Sequence, residues 1–139
     1  MEAGYAILEH PADLGIEARG ATIVEAFQNA ARALMSIILD DSKVEACEVR
    51  EISTRAIDAE HLLVKWLSEI LYLFDGQQFV AKEFLITELT SQRLEATIRG
   101  ERFSKVRHQT RLDVKAVTYH QLEVRQGEHE VTLKVFLDI

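Results

Sequence analysis

Cysteine occurs once in the 139 residues and proline once, and the six glycines are scattered singly. Cys47 alone cannot close an internal disulfide, which excludes a stapled secreted scaffold and points to a reducing cytoplasm. No apolar run approaches the ~20 residues that span a bilayer; the longest, Ala33 to Leu39, has seven and contains Ser36. The N-terminus lacks a basic segment followed by an apolar stretch and a cleavage site. A phosphate-binding glycine loop, a dinucleotide fingerprint and a paired-cysteine zinc pattern are all missing. Positive charge is also scarce: 16 Lys and Arg stand against 23 Asp and Glu, for a net charge of −7. Backbone-driven nucleic-acid binding needs a basic surface, so a stand-alone RNA or DNA binder is disfavoured.

What is present reads as one globular domain over residues 1–139, with 47% hydrophobic and 28% charged residues. Thr22 and Glu25 have the form of a capping box. Behind them Ile23, Phe27, Ala30, Leu34 and Ile37 recur at helical spacing. A second helix is expected from the cap residue Asp58 through Leu63, Trp66, Leu67, Ile70, Leu71 and Phe74, closing at Gly76. Period-two alternation predicts strands around Leu94–Ile98 and Val131–Leu137, with a hairpin turn at Gly127 after Gln121–Arg125. Tyr5–Glu9, Leu14–Arg19, Cys47–Thr54 and Phe79–Thr90 complete the strands. Because most strands follow strands, the expected class is α+β: two helices packed on a mostly antiparallel sheet as a two-layer sandwich.

Three segments carry chemistry. In His10-Pro11-Ala12-Asp13-Leu14-Gly15, Pro11 stiffens a turn that holds His10 and Asp13. Asp13 either bonds its own turn or serves as a hard-cation or proton-handling carboxylate. At the other end, Asp138 precedes Ile139, whose terminal carboxylate would be a second oxygen donor on one strand, suited to Ca²⁺ or Mg²⁺. The alternative there is a frayed end, and sequence alone does not bring Asp13 beside Asp138. Third, residues 102–115 hold five basic residues, Arg102, Lys105, Arg107, Arg111 and Lys115, against Asp113. This +4 window, which includes His108, leads into Lys115-Ala116-Val117-Thr118-Tyr119-His120. It reads either as a solvated loop and strand or as a phosphate or partner contact. Cys47 has no adjacent activating base and is expected to be a quiet structural residue, while His61 and His129 are expected at the surface.

Taken together, His10-Pro11-Ala12-Asp13-Leu14-Gly15, the helix around Leu63-Val64-Lys65-Trp66-Leu67, the Lys115–His120 run and the closing Val135-Phe136-Leu137-Asp138-Ile139 resemble the archease family over essentially the whole chain. Pro11 stands where that family usually has threonine, and Asp13 stays in register. The resemblance implies a non-catalytic activator of the GTP-dependent RNA ligase of tRNA splicing and RNA repair. Such a protein promotes guanylylation of the ligase's histidine and lets the ligase turn over repeatedly. It also implies a divalent metal, calcium first and magnesium or manganese as alternatives, held by Asp13, Asp138 and Ile139. Lys115 is implied in activation, and His10, His108, Lys105 and Arg107 are expected to face the partner. GTP and RNA would then belong to the ligase, with no membrane involved. Two other readings remain: a metal-dependent phosphate hydrolase built on Asp13 and Asp138, and a chaperone-like modulator of RNA-modifying enzymes.

Overall fold

The structure, a computed structural model, describes residues 4–9 and 13–139. In chain order the elements are β1 (Tyr5–Glu9), β2 (Asp13–Gly20), α1 (Ile23–Ile38), β3 (Leu39–Asp40), β4 (Glu48–Arg55) and α2 (Ala59–Gln77). They continue with β5 (Phe79–Leu89), β6 (Arg93–Arg102), β7 (Gln109–Thr110), β8 (Ala116–Val117), β9 (Glu123–Gln126) and β10 (Val131–Asp138). Every strand pairing is antiparallel, which is the expected α+β class. The strands divide among three sheets: a five-stranded one ordered β1-β2-β10-β8 with β9 also on β10, a three-stranded one ordered β4-β6-β5, and the pair β3-β7. Alternation marks a strand's buried face but not its neighbour, so this division was not legible beforehand.

Both helices begin as their sequences dictate. Thr22 is extended and its Oγ1 accepts from the Glu25 N–H at 3.1 Å. The Glu25 carboxylate reaches back to the Ala21 N–H, one residue earlier than a capping box requires. Asp58 caps α2 by accepting from the His61 N–H at 2.8 Å. The far end of α2 departs from expectation: the helix runs through Gly76, and Gln78 takes the left-handed position at φ 54°. A Cβ on Gly76 would lie 2.6 Å from the exposed Tyr72 ring, which would have to swing aside to admit it. Gln78 is held by its own N–H on the Phe74 carbonyl and by the Phe103 N–H on its carbonyl, contacts that offset the ~1–2 kcal/mol a non-glycine spends there.

α1 carries no basic residue in its last turn, where unpaired carbonyls collect negative potential. Arg111 supplies both remedies. Its guanidinium donates to the Ser36 carbonyl at 3.0 Å, while the N–H groups of Arg111 and Leu112 donate to Ile38 and Ile37. α1 packs on β2 and β10 of one sheet and on β5 of the other, so its buried positions run almost around the helix. α2 lies against β4 and β5 and reaches β8 and β9. The indole N–H of Trp66 donates to the Phe27 carbonyl at 2.9 Å, joining the two helices inside the core. Gly100 in β6 has no room for a side chain, because a Cβ would fall 1.9 Å from the Val80 carbonyl oxygen.

Some boundaries moved. Gln121 adopts φ 50°, so β9 begins only at Glu123. Of the Lys115–His120 run, which reads as strand or as a phosphate or partner contact, only Ala116–Val117 pairs with β10. Beyond it Thr118 is pinned through both its N–H and its hydroxyl to the Phe136 carbonyl. Cys47 lies just outside β4 and is exposed, contrary to the structural role expected of it. No helix among the described residues is long and apolar enough to cross a membrane.

Candidate functional site

The core-facing residues of β2 and β10 fix their register. Leu14, Ile16 and Ala18 on one strand and Leu133, Val135 and Leu137 on the other are buried. Leu14 then pairs with Leu137 and Ile16 with Val135. The alternate positions point away from the core, and there Asp13 faces Asp138 directly across the ladder. Directly opposed residues hold their Cβ atoms about 4.5–5.5 Å apart, and like charges so placed repel. Asp13 is half-buried with its Oδ1 shielded from solvent, whereas Asp138 is exposed.

The next pair on this face is Gly15 with Phe136. Phe136 is buried despite lying opposite the core. A Cβ on Gly15 would stand 2.9 Å from its ring, so glycine is what lets the ring lie over β2. His120 meets the same ring edge-on at 6.0 Å. The carboxylate pair therefore borders an apolar patch, where charges interact more strongly than in open water. Neither Gly15 nor Phe136 stood out in the sequence as a supporting residue, although a glycine two positions after Asp13, on the same strand face, was a usable signal.

On the far side of Asp138 lies the third strand. Asp138 pairs with Ala116, and its carbonyl accepts the Lys115 N–H at 2.8 Å. Lys115 is exposed, and its ammonium makes no ion pair among the described residues. Tyr119 packs against His61 with ring centroids 5.1 Å apart and the planes tilted by 44°, tying this segment to the start of α2. His61 is thus half-exposed as expected, yet engaged with both Asp58 and Tyr119. His10 lies outside the described residues.

The basic window divides by role. His108 was expected to face a partner, but its side chain is fully buried. Its Nδ1 accepts the Ser104 N–H at 2.9 Å, which leaves Nε2 to donate to Glu101 at 2.9 Å. His108 is a strut of this loop, not a contact residue. Arg107 pairs with Glu101 at 2.8 Å and donates to the Lys43 carbonyl, so its charge is largely committed inward. Burial alone would raise the Glu101 carboxyl. Donation from the Glu45 N–H, His108 and Arg107 outweighs that and brings it to about 2. Lys105 remains exposed at the loop tip beside Val106.

A divalent cation fits the carboxylate pair by donor chemistry. Two carboxylates are hard oxygen ligands, and a cation between them removes their mutual repulsion. Among the described residues no third His, Cys, Asp or Glu side chain joins them. Further ligands would therefore be backbone oxygens, waters or a terminal carboxylate.

Residues 5–139 match the sequence model of the Archease protein family. The chain belongs to the archease family. It is 38% identical to "Protein archease" of Methanosarcina acetivorans over 97% of this chain and 95% of that one. A solution structure of protein 1598 of Methanobacterium thermoautotrophicum superposes with a TM-score of 0.85, at 31% identity and 99% coverage of both chains. A crystal structure of an archease from Thermotoga maritima, described as a possible chaperone, shares the fold with a TM-score of 0.61 at 19% identity over 95% and 94% of the two chains.

Proposed function

We propose that this archease activates a GTP-dependent RNA ligase of tRNA splicing and RNA repair without itself catalysing a reaction. The pairing of Asp13 with Asp138, with Lys115 hydrogen-bonded through its backbone to the same strand end, carries this reading. Asp13 and Asp138, with the carboxylate on Ile139, would hold a divalent cation, calcium first and magnesium or manganese as alternatives. A bound divalent ion supplies charge stabilisation for a transferring phosphoryl group. Lys115, exposed and beside Asp138, adds a cation that can approach a partner's phosphates. Guanylylation of the ligase's histidine is the step such an arrangement would assist. An acidic protein of net charge −7 leaves GTP and RNA to the ligase.

The test mixes the protein with the ligase, GTP and a cleaved RNA and counts ligase turnovers. Stimulation well below one activator per ligase supports the proposal. Benefit only at equimolar ratio, with protection of the ligase from aggregation, would favour a chaperone role, the description attached to the Thermotoga relative. Phosphate-ester hydrolysis by the protein alone would overturn the non-catalytic reading.

A further inference from the structure

A second concave site lies between the C-terminal half of α2 and residues 110–114, distinct from the carboxylate pair. Its floor is apolar, made by Ile38, Leu71, Phe74 and Val114, and its volume is about 260 Å³. Asp75 and Asp113 stand at its rim. Partial burial and the nearby charge of Asp113 push the Asp75 carboxyl above its ordinary value. Arg111 is the cation among the described lining residues, and its guanidinium is already bonded to the Ser36 carbonyl at the end of α1. The slot thus joins an apolar floor to two acids against one arginine, whose guanidinium is engaged at the end of α1, leaving a net negative mouth.

We propose that this groove receives a lysine or arginine side chain projecting from a protein partner, its aliphatic stem on Leu71, Phe74 and Val114 and its charged head between Asp75 and Asp113. Size and surroundings select this occupant. The volume falls below the ~300–1,000 Å³ usual for small-molecule sites, which suits one long side chain. Long cationic side chains bury their stems on apolar surface while the head stays at the rim. Leu112, itself in the lining and 45% exposed, carries the apolar surface out from the slot. The occupant is therefore attached to a larger surface rather than free in solution. Val114 lines the groove and Lys115 follows it, so an occupied groove abuts the segment whose N–H holds Asp138.

The probe is an acetylated Ala-Arg-Ala amide and its citrulline counterpart, which keeps the shape and removes the charge. Methyl NMR signals of Leu71, Leu112 and Val114 report binding. The arginine peptide is expected to shift these signals saturably, and the citrulline peptide to bind at least tenfold more weakly. The Asp75→Asn, Asp113→Asn double variant, altered only at exposed positions, should bring the arginine peptide down to the citrulline level. Asp138→Asn should leave the peptide response unchanged, which separates this groove from the metal site and from ligase activation. Equal binding of the two peptides, or shifts confined to other methyl groups, would overturn the proposal.

Discussion

Asp13 and Asp138 are directly opposed partners in the β2–β10 ladder, on the face turned away from the core. Their proximity is enforced by side chains on the opposite face of the sheet. Leu14 and Leu137 are their neighbours along the two strands, and both are buried. A slip of one residue would expose the apolar set and part the carboxylates together.

Asp138→Asn should therefore raise stability in chelator, by about 0.2–1 kcal/mol, because one of two opposed like charges is gone. On the proposed function calcium should raise the parent's melting temperature, and the same variant should lose that rise together with ligase activation. Thermal melts with chelator and with calcium decide it; an undiminished calcium shift in the variant would sink the metal assignment. A chain extended past Ile139 should bind calcium more weakly than one ending there, since an amide replaces a carboxylate.

Lys115→Ala should separate docking from activation. Its backbone N–H still bonds Asp138, so the segment stays in place, and one rim charge changes association modestly. Guanylylation at saturating activator should slow about tenfold, roughly 1.4 kcal/mol in barrier. Recovery of the parent rate on adding more of the variant would make Lys115 a docking residue only.

Glu101 sets an acid limit on stability. Its carboxyl ionises at about 2 in the folded protein against an ordinary 4.5. The contribution is complete above pH 4.5 and is lost as pH falls from there towards 2. Glu101→Gln should cost about 1.5–3 kcal/mol at neutral pH, and its stability should fall less steeply across that acid range. Denaturant titrations at several pH values measure both; parallel curves for parent and variant would contradict the buried pair.

Arg111→Ala should weaken the end of α1 by about 0.3–1 kcal/mol at low salt and less at high salt, as expected for a cation at a helix C-terminus. Two backbone bonds from residues 111 and 112 persist, so the helix should not unravel. Amide exchange at Ile37 and Ile38 reports the change; no acceleration there would remove Arg111 from this role.

Much of the fold was legible because it obeys local rules. Thr22 and Asp58 cap helices where side-chain chemistry demands, and period two marked the buried faces of β6 and β10. Pairing was not local, so the three-sheet division and the β3–β7 ribbon escaped detection. Asp13, Asp138 and Lys115 could be named individually, but their adjacency arises from register, which sequence spacing does not encode. His108 misled because a histidine in a basic loop looks solvent-facing. Its burial depends on Glu101, a charged residue at the end of an alternating strand, and on Arg107 making that buried carboxylate tolerable.

The order of the first sheet has a consequence for synthesis. β2 is made early and finds β1 on one side at once, but its other edge waits for β10. Until β10 has emerged from the ribosome, that edge shows unpaired N–H and C=O groups and a bare apolar face, a template for wrong partners. Closure of this sheet accordingly waits for β10. A nascent chain that has not yet reached β10 carries only the Asp13 half of the carboxylate pair.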